Sequence, residues 1–526
     1  MKDLILRAGV IAAALAVAVS FLLRVLLGLT YLPEIASSAV FSLIPGSIES
    51  GAVENLGPLA KETTYLLASV VLVLVLAVIP LFLRRLGALP RQGPSLVLVS
   101  AVTAYGVLLG LSAFFLTITR VPALPVSPAS VALGMLVTVA VFTAAFVPIY
   151  IRPTGPPPVT YPGEKIKRPY DRKRRLFVAS AAGAVLGAVI LYYGVGALFS
   201  KQTPVSAGQE TSEVLSSQVT PNSDFYRVDI NIFAPSVDSS TWKLNVHGLV
   251  STPTTFDYSS FMALDSVEEY ATLECVSNTI GGDLMSTALW KGVQLKAILA
   301  MAGVSSQADY VVFRCSDGYD VGIPIERAMA DGTILAYEMN GDPLPTDHGY
   351  PLRAIVPGLY GMMNPKWITD IEVVGTAYEG YWQRNGWTNI ATLQTGSTTI
   401  TPGNSPLRDR FPIPSSLGDI FGSPVPIVGA AFAGDRGISK VEVSTDGGTT
   451  WQDASLNDPL SNYTWVFWRL DWNPAGPGGY KIVVRATDGT GEVQTATMNN
   501  PFPNGATGYA VVDVTISTPP TAESSK

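Results

Sequence analysis

The apolar residues of this chain are concentrated in its first 200 positions. Five apolar runs there are each long enough, at about 20 residues per span, to cross a bilayer as an α-helix. They cover residues 7–29, 62–83, 94–118, 127–150 and 176–199. The pattern therefore predicts an α-helical membrane bundle of five spans within residues 1–200.

Basic residues between the runs predict the orientation of this bundle. Arg84, Arg85 and Arg91 follow the second run, and eight lysines and arginines lie at residues 152–175, after the fourth run. Loops rich in basic residues stay in the cytoplasm. Because the number of spans is odd, we expect a multi-pass cell-membrane protein with a cytoplasmic N-terminus and an extracytoplasmic C-terminal region.

A basic segment precedes the fifth run. Residues 173–178 read KRRLFV, which resembles a twin-arginine export signal. Arg174 and Arg175 are explained equally well as ordinary positive-inside residues. The export route therefore stays open.

Turn residues and short alternating patterns replace the apolar runs in the rest of the chain. Residues 201–220 are rich in Ser, Thr, Gln and Gly, which is typical of a linker. Two domains follow, at residues 221–385 and 386–517, before a disordered tail at 518–526. The second domain has short strand patterns separated by turns every ~8–12 residues, which predicts a β-sandwich.

Composition agrees with a membrane part and excludes several functions. The 526 residues are 48% hydrophobic and 14% charged, which is too apolar for an ordinary soluble protein. The net charge of -7 argues against nucleic acid as a partner. The spans contain no histidine, so no bis-histidine haem is expected, and the bundle is either an anchor or a docking surface for a quinone or membrane electron carrier.

The chain contains two cysteines, Cys275 and Cys315, and two histidines, His247 and His348. No haem-attachment, iron–sulfur or zinc spacing can be formed from them. Cys275 ends a predicted strand beside Gly281 and Gly282, where its sulfur could face a cleft. A buried structural cysteine is the alternative, because free cysteine behaves as a small hydrophobe.

Four ordered motifs decide between these interpretations. They are residues 272–278 (TLECVSN) with 290–295 (WKGVQL), residues 348–353 (HGYPLR), residues 356–358 (VPG) and residues 364–367 (NPKW). Together they resemble the sulfite oxidase family of molybdopterin enzymes over residues 220–515. The resemblance implies an α+β sulfite-oxidase-type molybdopterin domain at 221–385.

The resemblance also implies a set of site residues. Cys275 would coordinate molybdenum through its thiolate, a soft ligand suited to a redox metal. Tyr319 would occupy the place of the active-site tyrosine, and Cys315 would line the cofactor pocket unless it is a buried bystander. The residues implied to hold the pterin and its phosphate are Tyr226, Arg227, His348, Arg353, Asn364 and Lys366.

One departure from the family pattern concerns the substrate. Sulfite oxidases have an Arg-Asn-His run where this chain has Val228, Asp229 and Ile230. Asp229 brings negative charge to a place that receives an anion in the family. A sulfoxide or another oxo compound is therefore at least as plausible a substrate as sulfite.

The C-terminal domain carries a second resemblance. Residues 440–448 (KVEVSTDGG) and 485–489 (RATDG) resemble the immunoglobulin-like dimerisation domain that follows the molybdenum domain in sulfite oxidases. The resemblance implies a possible homodimer.

The leading hypothesis is an extracytoplasmic molybdenum-cofactor oxidoreductase that transfers an oxygen atom and two electrons, without haem. Its electrons would pass through a separate carrier such as a cytochrome, a cupredoxin or a quinone. One alternative is a non-catalytic surface protein that uses both domains as a binding scaffold. A transporter is the other, although the spans lack the internal repeats and paired charges typical of one.

Overall fold

The structure is a computed structural model that describes residues 2–27, 32–43, 59–86, 99, 101–109, 111, 128–150, 218–231, 234–402, 407 and 424–516. The described helices before residue 151 form one compact unit, and the described residues from 218 onwards form another. The fifth predicted span and the basic pair Arg174 and Arg175 lie outside the described residues.

The first unit consists of helices. Their bounds are Lys2–Leu27 (α1), Leu32–Leu43 (α2), Leu59–Arg85 (α3) and Pro128–Tyr150 (α4), and residues 101–109 are also helical. Helix α1 buries Ala8, Ala12 and Ala16 in the core of this unit. A Cβ atom on Gly9 would lie 2.6 Å from the carbonyl oxygen of Ala77 in α3. Small residues thus let α1 and α3 approach closely, as in membrane helix pairs.

Two pairs of polar side chains join helices of this unit. The hydroxyl groups of Ser20 and Thr138 lie 2.7 Å apart and join α1 to α4. Arg24 donates two hydrogen bonds of 2.7 Å to the carboxylate of Glu34. Pairing of this kind offsets the cost of placing polar groups among apolar helices.

Two described helices, over Ile5–Arg24 and Thr64–Arg85, are long and apolar enough to cross a membrane. They coincide with the first and second predicted spans. The fourth predicted span contains a shorter apolar stretch, Val131–Val147, and only residues 99, 101–109 and 111 of the third are described. Large apolar side chains on α3, including Leu66, are exposed. The five-span bundle therefore remains a prediction beyond these two helices.

The second unit begins with an α+β domain built on two sheets. The strands of the first sheet, in spatial order, are Thr254–Asp257 (β2), Lys243–Gly248 (β1), Ile368–Val374 (β10), Tyr310–Cys315 (β5) and Asp320–Pro324 (β6). The second sheet contains Val267–Glu274 (β3), Met285–Gln294 (β4), Ile334–Met339 (β7) and Asp342–Pro343 (β8), and Arg353–Ile355 (β9) pairs with β7. Strands β1 and β10 pair in parallel, whereas the other described pairs of this domain are antiparallel.

Short helices connect these strands. They are Tyr258–Met262 (α5), Leu295–Ala302 (α6), Ile325–Ala328 (α7) and Tyr381–Arg384 (α8), with 3₁₀ turns at Thr346–His348 and Gly361–Met363. The carboxylate of Asp257 accepts a hydrogen bond from the backbone N–H of Ser260 and caps α5. Buried Trp290 and Phe225 pack edge to face in the core beneath β4 and β7.

A β-sandwich follows. One sheet has the order Gly396–Thr401 (β11), Val425–Phe432 (β12), Val466–Trp472 (β16) and Ser455–Leu456 (β15). The other has the order Gln452–Asp453 (β14), Ile438–Ser444 (β13), Gly478–Asp488 (β17) and Ala510–Ile516 (β18). Trp468 and Trp472 are buried in its core. Gly447 and Gly448 have φ values of 78° and 97° in the turn that follows β13, a conformation that favours glycine.

A loop of the sandwich packs on strand β3. The backbone N–H of Thr272 donates to the carbonyl of Tyr463 at 2.9 Å, and the hydroxyl of Thr272 accepts from the N–H of Trp465 at 2.9 Å. Ser461 donates to the carbonyl of Tyr270 at 2.6 Å. The sandwich is therefore hydrogen-bonded to the strand that leads into Cys275.

Candidate active site

Cys275 lies directly after β3, at the start of a tight loop. Its backbone N–H donates to Leu284 at 2.9 Å, and its carbonyl accepts from Asn278 at 3.0 Å. A Cβ atom on Gly282 would lie 2.4 Å from Oδ1 of Asn278, so this loop needs a glycine there. The loop places the cysteine on the wall of a cleft with about 900 Å³ of space, part of it open to solvent.

The cleft is assembled from segments that are distant in sequence. Seven of the predicted site residues line it: Tyr226, Cys275, Tyr319, His348, Arg353, Asn364 and Lys366. Arg227 and Cys315 are not among the described residues that line it. The structure therefore brings most of the predicted set together around one cavity.

His348 lies at the end of the 3₁₀ turn Thr346–His348. One ring nitrogen, Nε2, lies 3.0 Å from the carbonyl oxygen of Asn222. Burial and the nearby Arg353 guanidinium lower the pKa of His348 to about 4. The imidazole is therefore neutral at neutral pH and would contact a ligand through hydrogen bonds rather than charge.

Arg353 is the most buried cation of the cleft, with 4% of its surface exposed. Its guanidinium donates to the carbonyl of His348 at 3.1 Å and lies 4.8 Å from the ring centroid of Trp290. Burial lowers the pKa of Arg353 to about 10, so the side chain stays positive at neutral pH. Its Nε atom is buried and has no hydrogen-bond partner among the described residues.

Lys366 forms an ion pair with Asp229, and its ammonium group also donates to the carbonyl of Asp347 at 3.1 Å. Burial lowers the pKa of Lys366, whereas the Asp229 carboxylate acts in the opposite direction. Arg227 holds the other oxygen of Asp229 at 2.5 Å and reaches Asp347 at 3.0 Å. The departure from the family pattern thus places a buried carboxylate between two cations.

Asn364 organises the loop after β9. Its Oδ1 atom accepts from the N–H of Val356 at 2.6 Å, and its amide donates to the carbonyl of Tyr360 at 3.0 Å. These bonds hold the backbone around the 3₁₀ turn Gly361–Met363. Asn364 thus shapes the wall of the cleft through backbone contacts.

Tyr319 is buried, and its hydroxyl donates to the carbonyl of Met362 at 2.5 Å. Burial raises the pKa of Tyr319 well above its usual value, so the phenol keeps its proton. Cys315 ends β5, and its backbone bonds to the carbonyl of Tyr319 at 3.0 Å. Burial likewise raises the pKa of the Cys315 thiol, which therefore stays protonated.

Sequence patterns missed several residues of the cleft, among them Asp317, Trp382 and Trp387. Burial raises the pKa of Asp317 to about 7, while a hydrogen bond of 2.9 Å from the N–H of Tyr319 lowers it. The two tryptophans belong to or follow α8, in a segment whose sequence shows no regular periodicity. The Asp-Gly turn before Tyr319 was the one available signal for Asp317.

Comparison with known proteins agrees with this geometry. Residues 231–382 match the oxidoreductase molybdopterin binding domain, and residues 415–501 match the Mo-co oxidoreductase dimerisation domain. The oxidoreductase YuiH of Bacillus subtilis, which is described as uncharacterized, is 33% identical over 150 residues, 28% of this chain and 74% of that protein. The chain belongs to the sulfite oxidase family of molybdopterin oxidoreductases.

Other relatives of this sulfite oxidase family member extend the match to both domains. The mitochondrial sulfite oxidase of Macaca fascicularis is 29% identical over 341 residues, which cover 57% of this chain and 61% of that protein. The chain thus spans less than two thirds of the length of that relative. The sulfane dehydrogenase SoxCD of Paracoccus pantotrophus is 22% identical, with a TM-score of 0.48 over 61% of this chain and 89% of that one.

The residues of this family member fit a molybdopterin. A thiol, a neutral imidazole and two cations converge on one cleft, and soft sulfur and cationic donors suit a metal dithiolene and a phosphate. The partnerless Nε atom of Arg353 is the clearest sign of a missing acceptor, because buried donors are almost always hydrogen-bonded. The cofactor would contact Cys275, His348, Arg353 and Lys366.

Proposed function

We propose that this protein is a membrane-anchored, extracytoplasmic molybdenum-cofactor oxidoreductase that acts on a small substrate, sulfite-like or sulfoxide-like. It would couple transfer of one oxygen atom to transfer of two electrons. The observation that carries the proposal is the position of Cys275 on the wall of a cleft that also presents His348, Arg353 and Lys366.

The roles of the side chains follow from their chemistry. Cys275 supplies the thiolate ligand, and coordination would keep it deprotonated. Arg353 and Lys366 offer donors for the phosphate, while neutral His348 offers a ring nitrogen to the pterin. When bound, the cofactor supplies the redox chemistry and the site of oxygen-atom transfer. Tyr319 keeps its proton and fixes the turn at Met362 beside that site.

The partners form part of the same proposal. The match of residues 415–501 to a dimerisation domain supports a homodimer through the β-sandwich. Electrons would be exchanged with a separate carrier, a cytochrome, a cupredoxin or a quinone. The two apolar helices and the distribution of basic residues support a membrane anchor with the catalytic domain outside.

The first experiment is metal analysis of the full chain, purified in detergent from a molybdenum-replete host. We expect close to one molybdenum per chain and turnover with at least one of sulfite or an organic sulfoxide. Protein that contains no molybdenum and turns over neither substrate would contradict the proposed function. A Cys275→Ser variant, purified in parallel, tests whether the activity depends on the proposed ligand.

A further inference from the structure

Asp229 controls the charge of the cleft. Its side chain is 3% exposed, and each of its two carboxylate oxygens faces one cation: Oδ1 faces Lys366, and Oδ2 faces Arg227. Because Asp229 already balances the charge of Lys366, the pair can still offer a hydrogen-bond donor to the cofactor phosphate, but it brings no net positive charge to an anionic substrate.

Arg353, the other cation that lines the cleft, also has partners within the protein. Arg353 donates to a backbone carbonyl and lies over the ring of Trp290. Its one partnerless donor, Nε, is among the groups that fit the cofactor. Asp317 adds a second buried carboxyl group to the lining. Asp229 therefore offsets one of the two cations that line the cleft, Asp317 adds negative charge when it is ionised, and His348 is neutral.

The other walls of the cleft are apolar. Phe225, Ile230, Met362, Trp382 and Trp387 line it, and Trp387 is 5% exposed. The indole N–H of Trp387 is buried and lacks a partner among the described residues, as does that of Trp468 in the sandwich core, whereas Trp242, Trp290, Trp367 and Trp465 donate to backbone carbonyls. Apolar and aromatic walls favour a substrate with an apolar substituent.

We propose that Asp229 is a specificity-determining residue that excludes anionic substrates, so that the cleft accepts an uncharged oxo compound with an apolar substituent. This inference rests on the proposed function and narrows its substrate class. An anion entering the cleft loses its hydration and meets no unpaired cation among the described residues, which costs free energy. The phosphate of the cofactor would add further negative charge.

A matched pair of substrates tests this on the wild-type enzyme. Methyl phenyl sulfoxide is uncharged, and its para-carboxylate has the same sulfoxide with one negative charge. Reduced methyl viologen serves as the electron donor. Two viologen radicals supply two electrons, and two protons come from water. The S–O bond breaks, and the products are a sulfide and water. We expect kcat/KM for the uncharged substrate to be at least about tenfold higher. Equal values for the two sulfoxides, or a preference for the carboxylate, would overturn the inference.

The Asp229→Asn variant tests the residue itself. Removing the charge leaves Lys366 without its carboxylate partner, while Arg227 keeps its pair with Asp347, so the preference for the uncharged substrate should fall by roughly tenfold or more. The matched control is Asp331→Asn, which removes the same charge from an exposed carboxylate paired with Lys296 outside the cleft. Molybdenum content measured on every variant separates lost cofactor from changed specificity. An unchanged preference in a molybdenum-loaded Asp229→Asn enzyme would reject the role of Asp229.

Binding of sulfate, followed by calorimetry, provides a readout that needs no turnover. We expect Asp229→Asn to bind sulfate at least about tenfold more tightly than the wild type and Asp331→Asn do. Equal affinities would contradict the inference. If Asp229→Asn does not fold, the substrate pair on the wild type decides. If the wild type turns over no substrate, the proposed function fails, and the sulfate titration still decides whether Asp229 excludes anions.

Discussion

The hydroxyl of Ser277 lies 3.1 Å from the sulfur of Cys275. Both residues line the cleft, and both belong to the loop that follows β3. A hydroxyl at this distance donates to a thiolate and fixes its direction. Groups that contact a metal ligand in this way tune its orientation and basicity. The sulfur of Cys275 is thus held in place by the loop itself.

Cys275→Ser should lower turnover by more than the roughly 10- to 100-fold loss typical of changes outside the ligand set. Serine keeps the size of the side chain but replaces a soft sulfur with a hard, weakly acidic hydroxyl. Turnover normalised to molybdenum content measures the loss of activity, and the X-ray absorption spectrum of molybdenum reports its ligands. The spectrum should lose one sulfur neighbour.

Cys315→Ser is the comparison for this prediction, because Cys315 is buried and its side chain does not belong to the described lining of the cleft. The molybdenum–sulfur neighbours should be the same as in the wild type. Loss of a sulfur neighbour in Cys315→Ser rather than in Cys275→Ser would reverse the ligand assignment.

Asp317→Asn should stabilise the protein more at high pH than at low pH. Burial raises the pKa of Asp317 from 3.8 in the unfolded chain to about 7, and the neighbouring Asp229 acts in the same direction while Lys366 opposes it. The folded state thus keeps a proton that the unfolded state releases, and it loses stability as pH rises through this window. Asparagine removes the penalty. The gain in unfolding free energy at pH 8 should exceed that at pH 5 by about 2 kcal/mol.

Unfolding of both proteins by denaturant at the two pH values measures this difference. A gain that is the same at pH 5 and pH 8 would show that the Asp317 carboxyl does not titrate in this window. Asp331→Asn, at an exposed carboxylate, is the control for the substitution itself.

Thr272→Val should destabilise the second unit. The hydroxyl of buried Thr272 accepts from the N–H of Trp465, and valine would leave that N–H without a partner. An unsatisfied buried donor costs about 1–3 kcal/mol. The same substitution at exposed Thr255 on β2 is the control, because water can replace its bond to Asn245. Equal losses of unfolding free energy for the two variants would contradict the importance of this contact.

Replacing Arg174 and Arg175 with lysine should leave the catalytic domain in the cytoplasm if the twin-arginine route is used. Protease digestion of intact spheroplasts, with detection of a C-terminal tag, reports the side on which the domain lies. Arg168 and Arg172, replaced with lysine together, form the charge-matched control. A tag that is equally accessible in both variants and in the wild type would exclude this route.

The sequence predicted the centre of the candidate site better than its walls. Cys275, His348, Arg353 and Lys366 lie in short motifs, and the structure places all four at the cleft. Trp382 and Trp387 come from a segment whose position depends on the packing of distant strands, which no local periodicity reveals. The charge of Asp229 was visible in the sequence, but its pairing with two cations depends on the tertiary fold.

For the fold as well, the sequence predicted local elements but not the contacts between distant segments. The strand predicted to end at Cys275 is β3, and the short strand patterns of residues 386–517 correspond to strands such as β13, β16 and β17, because a half-buried strand shows its two faces in its sequence. The contact between Thr272 and the loop of the sandwich joins residues almost two hundred positions apart, so only the structure reveals it. For the apolar runs, length and composition predict spans, but they do not establish how many helices cross the membrane.

The loop at residues 461–465 covers a sheet edge that stays open while the chain is being synthesised. Strand β3 is an edge strand in its described sheet, and the hydrogen bond from Thr272 to Tyr463 covers part of that edge. Uncovered edges of β-sheets recruit other strands and promote aggregation. Until the ribosome has delivered residue 465, the strand that leads to Cys275 therefore keeps an open edge.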